Sequence, residues 1–258
     1  MHLERAKDGV ARLTFTQVER GNPIDGTFCS EFCDVANELS CDEGVRAVLI
    51  RAEGKAFSYG GDIEMFLRQL DELPVMIKRW TADLHMGVSR LQRMNAPIVA
   101  AIQGICAGGM AGIMAGVDIL VAEPGTRFVA AYAGIGYCCD AGSSVMLSRR
   151  MGLAKARKYF LLNETLDAET AYAAGLVDEI VPAAELEHRA NEIAAKLASG
   201  PTLAYGAIRR LMTSAADHAL EAQLEAEAQA LANIAGTQDA REGLRAFGEK
   251  RKPKFKGG

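Results

Sequence analysis

The chain predicts an α/β fold, because short runs rich in Val, Ile and Ala alternate with helical segments as far as Val181, while everything after Gly200 reads as helix. Two of those apolar runs end in glycine-bearing turns, Ala56-Phe57-Ser58-Tyr59-Gly60-Gly61-Asp62 and Gly104-Ile105-Cys106-Ala107-Gly108-Gly109-Met110-Ala111-Gly112, each leading into a helix.

The first element is a hairpin, His2–Ala6 and the alternating Val10–Thr16 turning at Lys7-Asp8-Gly9. Phe28, Phe32, Val35, Ala36 and Leu39 recur at helical spacing, and Val45–Arg51 follows as a strand entering the first glycine turn. A longer helix from about Pro74 to Met94 carries Ile77, Trp80, Leu84, Val88 and Leu91 on one face; Asn95-Ala96-Pro97 breaks it before the strand Ile98–Gln103. The second glycine turn comes next. Ile119–Ala122 and Arg127–Ala131 read as strands around Glu123-Pro124-Gly125, and Gly134–Gly142 is irregular. Helices are expected at Ser144–Arg150, Leu153–Leu162 and Ala168–Ala174, the last closed by Gly175, and Leu176–Val181 is the final strand. Ser199-Gly200-Pro201 marks a boundary. We therefore expect a core at 1–198 and a helical region at 199–258, containing Thr202–Ser214, His218–Ile234 and the basic tail Lys250–Lys256. Such an appendage, apolar on one face, packs on its parent domain or on another subunit.

Composition narrows the class. The 258 residues are 49% hydrophobic and 24% charged, and no apolar run approaches the ~18 residues a membrane span needs. No signal peptide stands at Met1–Val10, so the expectation is a soluble cytoplasmic protein without a membrane partner. The net charge of −4 argues against a nucleic-acid surface. Cys29, Cys33, Cys41, Cys106, Cys138 and Cys139 form no C-x-x-C pair, and His2, His85, His188 and His218 have no ligand spacing, so neither a disulfide framework nor a metal is expected.

The turns carry the chemistry. Gly109 falls where a helix begins, so its N–H is an unpaired donor at the positive end of the helix dipole. Gly61 follows Gly60 in the other turn, where the missing side chain lets a ligand lie against the backbone. Two such donors aimed at one oxygen form an oxyanion hole. The spacing from Gly104 is not G-x-G-x-x-G, which excludes a dinucleotide site.

Lys55–Ile63, Asn95–Gly112 and Gly152–Val177 resemble the enoyl-CoA hydratase/isomerase, or crotonase, family over nearly the whole chain. The resemblance implies a spiral of ββα repeats, C-terminal helices that join trimers or pairs of trimers, an acyl-CoA substrate and no separate cofactor. It makes Gly61 and Gly109 the oxyanion donors. It places Arg20, Ile24, Ala56, Phe57 and Ser58 along the nucleotide and pantetheine path, with Gly60, Asp62 and Ile63 in the first turn, Ile105 and Gly108 in the second, and Tyr132 at the acyl group. Asp62 is expected to bond backbone in its turn, and the basic tail to reach CoA phosphates of a neighbouring subunit.

One departure bears on the reaction. Hydratases of the family carry glutamates at the positions of Gly112 and Tyr132, and adding water needs a base for the water and an acid for the carbon. Simple hydration is disfavoured. Asp140 could be a helix N-cap, but the family's isomerases and aryl-CoA dehalogenases carry their working aspartate at the matching place. One carboxylate suffices for a 1,3-proton shift, so the expected reaction is movement of an enoyl-CoA double bond, with Asp140 as base and acid. Glu64 is a reserve acid. The dehalogenase alternative needs a histidine and a tryptophan, whose places fall on Ser89 and Tyr132, with His85 one turn away. A catalytically silent acyl-CoA binder is the remaining alternative. Met65, Met76, Met110, Met114 and Tyr132 are candidates to shape the acyl pocket.

Overall fold

The computed structural model describes all residues 1–258. Its strands are β1 (His2–Arg5), β2 (Val10–Phe15), β3 (Ala47–Ala52), β4 (Ile98–Ile102), β5 (Ile105–Ala107), β6 (Ile119–Ala122), β7 (Arg127–Val129), β8 (Thr165–Asp167) and β9 (Glu179–Ile180). The helices are α1 (Gly26–Cys41), α2 (Ile63–Arg68), α3 (Leu73–Arg93), α4 (Gly109–Ala115), α5 (Ser143–Met151), α6 (Leu153–Leu161), α7 (Ala168–Ala174), α8 (Leu186–Ala198), α9 (Thr202–Ser214), α10 (Leu220–Ala235) and α11 (Gln238–Gly248).

A six-stranded sheet runs β1-β2-β3-β4-β6-β9, antiparallel only at the β1–β2 hairpin, and a small sheet runs β5-β7-β8. Burial on both faces explains the uninterrupted apolar runs. Along β4, Ile98, Ala100 and Ile102 enter the main core, while Val99 and Ala101 join a second core with Leu186, Ala190 and Ile193 of α8. The main core also takes Phe28 and Phe32 of α1 and Leu84 and Leu91 of α3. Asp25 caps α1, its Oδ1 accepting from Phe28 N at 2.8 Å, a bond worth about 1 kcal/mol.

Two short strands lie outside the sequence reading, β5 within the second glycine turn and β8 before α7, while α11 falls in the stretch read as helix without bounds of its own. Strands of three residues carry too little periodicity to register. The last strand is only Glu179–Ile180, because Leu176 and Val177 pack in the core before pairing starts.

The C-terminal helices are tied to the core through Arg209 on α9. Its guanidinium donates to Leu91 O (3.0 Å), Ala96 O (3.1 Å) and the Asp118 carboxylate (2.9 Å). The tail folds back. Asp239 of α11, buried, accepts from Lys256 N and Gly257 N at 2.7 Å each, and Arg251 pairs with Glu242. Met110 and Met114 are fully buried in the main core, so they are packing and not pocket.

Candidate active site

Backbone pairing lays the two glycine turns side by side. Phe57 N donates to Gln103 O (3.1 Å), Ser58 N to Ile105 O (2.9 Å) and Ala107 N to Ser58 O (3.0 Å). The approach is close: a Cβ on Gly60, whose φ is +83°, would stand 3.0 Å from Ala107 O. Only glycine suits that place. Two neighbouring donors are consumed, Gly60 N by Ser58 Oγ (3.1 Å) and Gly108 N by Val129 O (2.9 Å). The N–H groups of Gly61 and Gly109 have no acceptor in the chain, and both glycines line one cavity.

That cavity, of about 750 Å³, also receives Asp140 and Tyr132. A Cβ on Gly109 would lie 3.2 Å from Asp140 Oδ1, which measures how near the carboxylate stands to the second donor. The Tyr132 hydroxyl donates to Asp140 Oδ1 at 2.7 Å and lies 3.3 Å from Ser143 Oγ. Burial first, and the Asp140 charge second, push the Tyr132 phenol well above its ordinary value. It therefore stays a donor.

The loop behind Asp140 is held by side chains. Ala141, at φ +54°, donates its N–H to His85 Nε2 at 3.1 Å, so the His85 ring carries its proton on Nδ1. His85, not Ser89, is thus the α3 residue against the loop, which corrects the register expected from the dehalogenase comparison. Neither His85 nor Ser89 lines either cavity, so His85 is distinguished by its bond to Ala141 N alone. The hint was available: Ile77, Trp80, Thr81 and Leu84 line the cavity, and His85 follows Thr81 by one turn of the same face.

Ser143 accounts for the absent glutamate. A Cβ on Gly112 would fall 1.9 Å from Ser143 Oγ and 2.7 Å from its Cα, so buried Ser143 occupies the space a side chain on Gly112 would need.

A second cavity, of about 940 Å³, opens outside the turns and shares Tyr59, Gly61 and Ile63 with the first. The two meet at Gly61. Arg20, Ala56 and Asp62 line this outer groove; Ile24, Gly60 and Gly108 line the inner cavity. Phe57, Ser58 and Ile105 line neither, which corrects their expected place on the substrate path. The Phe57 ring packs edge-on against Phe15, and the backbone of Ser58 and Ile105 is spent joining the turns. Asp62 caps α2, accepting from Met65 N at 3.0 Å, and together with Asp25 it pairs with Arg20. Glu64 is exposed on the outer groove beside Arg68, away from the inner cavity, and Met65 lines that groove too. Cys29 lines the inner cavity, but burial pushes its thiol up to about 12, which keeps it protonated. No group of three or more His, Cys, Asp or Glu side chains is placed to hold a metal, and no helix is long and apolar enough to cross a membrane.

The family described as Enoyl-CoA hydratase/isomerase matches residues 5–258. The trans-2-decenoyl-[acyl-carrier-protein] isomerase of Streptococcus mutans is 31% identical over 99% of this chain and 97% of its own length. The 1,2-epoxyphenylacetyl-CoA isomerase of Escherichia coli is 30% identical over 99% and 98%. A 4-chlorobenzoyl coenzyme A dehalogenase of an Arthrobacter species is 31% identical over 86% and 81%. The solved enoyl-CoA hydratase of Mycobacterium smegmatis superposes with a TM-score of 0.91 at 26% identity, covering 98% of each chain. With the paired glycine turns, the sheet order and this agreement along its length, the chain belongs to the enoyl-CoA hydratase/isomerase family and has the crotonase fold.

Proposed function

We propose that this acyl-CoA enzyme moves a carbon–carbon double bond within an enoyl thioester. The carrying observation is a single carboxylate, Asp140, beside two unpaired N–H donors, with the hydratase glutamate positions held by Gly112 and Tyr132. The thioester oxygen sits between Gly61 N and Gly109 N, and Asp140 takes a proton from the carbon alpha to the carbonyl. The enolate's negative charge rests on the oxygen, and the protonated Asp140 returns the proton two carbons along. Tyr132 holds Asp140 Oδ1 in place throughout. The CoA portion lies in the outer groove past Arg20, Ala56 and Asp62. Each oxyanion donor contributes about 3–4 kcal/mol to lowering the barrier.

The test is incubation with a 3-enoyl-CoA in deuterated water, with Asp140→Ala alongside. The expected result is a 2-enoyl product from the wild type and none from the variant, with deuterium in that product only where the Asp140 proton exchanges with solvent before it returns. A wild-type protein that binds CoA yet is inert towards 3-enoyl, 2-enoyl and aryl thioesters would point to the silent binder.

His85 favours one second reading. With a histidine at the loop, Asp140 could attack an aryl carbon as nucleophile and expel halide, as in the dehalogenase-named relatives, and water would then cleave the ester. Chloride release from 4-chlorobenzoyl-CoA decides it. For assembly we propose a trimer or a pair of trimers joined through residues 199–258. Support comes from the exposed Leu220, Leu231, Leu244 and Phe247 on α10 and α11, which leave apolar area uncovered in a single chain.

A further inference from the structure

The inner cavity has a polar side chain, buried at its oxygen, that the proposed reaction does not use. Asn163 lines it, in the turn between α6 and β8. Its backbone is explained: φ is +50°, and Asn163 N donates to Phe160 O and Glu164 N to Tyr159 O, which closes the helix in the manner natural to asparagine. The side chain is not explained by that turn. Oδ1 is buried without a donor, and Nδ2 makes no hydrogen bond in the chain. The Nδ2 atom lies against Gly134, where a Cβ would come within 2.7 Å, so the glycine leaves the amide room beside the loop that carries Tyr132. A buried amide oxygen without a donor is an expensive feature in a well-packed protein.

Part of the same cavity wall is aromatic and flat. Phe66, Trp80 and Tyr137, from α2, α3 and the 132–142 loop, stack with Phe66 in the middle, the centroids 6.3 Å apart at 28° and 17°. Such a wall suits a planar acyl group. A planar group with no polar substituent would leave Asn163 unpaired.

We infer that Asn163 is a specificity-determining residue that hydrogen-bonds an oxygen substituent on a planar, unsaturated acyl group. A half-turn about χ2 exchanges its N–H₂ and carbonyl, so the amide can donate to the oxygen or accept from a hydroxyl. This rests on the inner cavity being the acyl site of a CoA thioester enzyme.

The experiment is calorimetric titration of the wild type and Asn163→Gly with benzoyl-CoA and its 2-, 3- and 4-hydroxy derivatives. Glycine keeps the left-handed turn and removes only the amide. We expect one hydroxy isomer to bind the wild type about fivefold tighter than benzoyl-CoA, with that preference lost in Asn163→Gly and benzoyl-CoA unaffected. If Asn163→Gly does not fold, Asn163→Asp, of the same shape but without the N–H, is titrated with the methoxy thioesters, whose oxygen only accepts; its preference should vanish likewise. Thioesters that bind the wild type with no preference, or a preference that survives the substitution, overturn the subsite alone. Failure of every thioester to bind overturns the subsite and the acyl-CoA reading together.

Discussion

The two halves of the site are built by different means. The half proposed to hold the oxyanion is mainly backbone: the turns bearing Gly61 N and Gly109 N are joined by strand-like pairing between 57–58 and 103–107, with the Ser58 hydroxyl holding Gly60 N. The acid–base half is side chain. The loop 132–142 has no strand, and its place depends on Tyr132 to Asp140, His85 to Ala141 and the packing of Ser143 on Gly112. The first half can be kept while the second is exchanged. On the proposed mechanism, that division lets one fold hold a thioester oxygen constantly while the reaction changes with a few residues around it.

The largest effect should come from the exchangeable half. Asp140→Asn keeps the shape and the Tyr132 contact but removes the base, and should lower the rate of double-bond migration by ~10²–10⁴ with CoA affinity unchanged. Gly60→Ala attacks the constant half through backbone alone. Its Cβ meets Ala107 O at 3.0 Å from a φ of +83°, so the turns must part, and kcat should fall by ~10² as for loss of one oxyanion donor. If Gly60→Ala were harmless, the close pairing of the turns would not be what aims the donors.

His85 gives a smaller effect and sharpens the boundary between the halves. Under the isomerase reading it is a positioning residue, so His85→Ala should cost about tenfold in kcat with little change in KM. His85→Gln, whose amide oxygen can still accept from Ala141 N, should recover most of it. Under the dehalogenase reading glutamine would not rescue, because the histidine itself handles the water. Crossing these results with the chloride assay separates the two.

The same division decided what could be read from the sequence. Gly61 and Gly109 were legible because a glycine pair at a strand-to-helix turn states its backbone geometry locally. The α/β alternation, α1 and α3 were legible for a similar reason, since long apolar periods declare themselves. His85, Ser143 and Asn163 were not, because each matters through a contact with a residue far along the chain: Ala141, Gly112 and Gly134. Tyr132 lay between. Its place came from the family comparison, whereas its bond to Asp140 came only from the structure. Phe57, Ser58 and Ile105 erred in the opposite direction: the family resemblance put them at the substrate, whereas they line neither cavity and their backbones join the turns.

Two tyrosines, Tyr132 half-buried and Tyr159 buried, extend the contrast to stability. Tyr132 OH is partnered by Asp140 and Ser143, while Tyr159 OH is buried in the core with no partner, and burial pushes both phenols up. Tyr132→Phe should therefore cost catalysis, whereas Tyr159→Phe removes an orphan group and should leave neutral-pH stability unchanged or raised by about 1 kcal/mol. The sign of the pH effect follows from proton binding. Above the ordinary phenol value of 10.0, the unfolded chain releases the Tyr159 proton and the folded protein keeps it. The folded state then binds more protons, so wild-type stability falls as pH rises past 10. Cys29, raised from 9.0 to about 12, adds a loss of the same sign that begins near pH 9. Urea unfolding of the wild type and Tyr159→Phe at pH 7.5 and 10.5 measures it, and the gap between them should be wider at the higher pH. A constant gap would mean that Tyr159 ionises as readily in the folded protein as in the unfolded chain, which its burial without a partner does not allow.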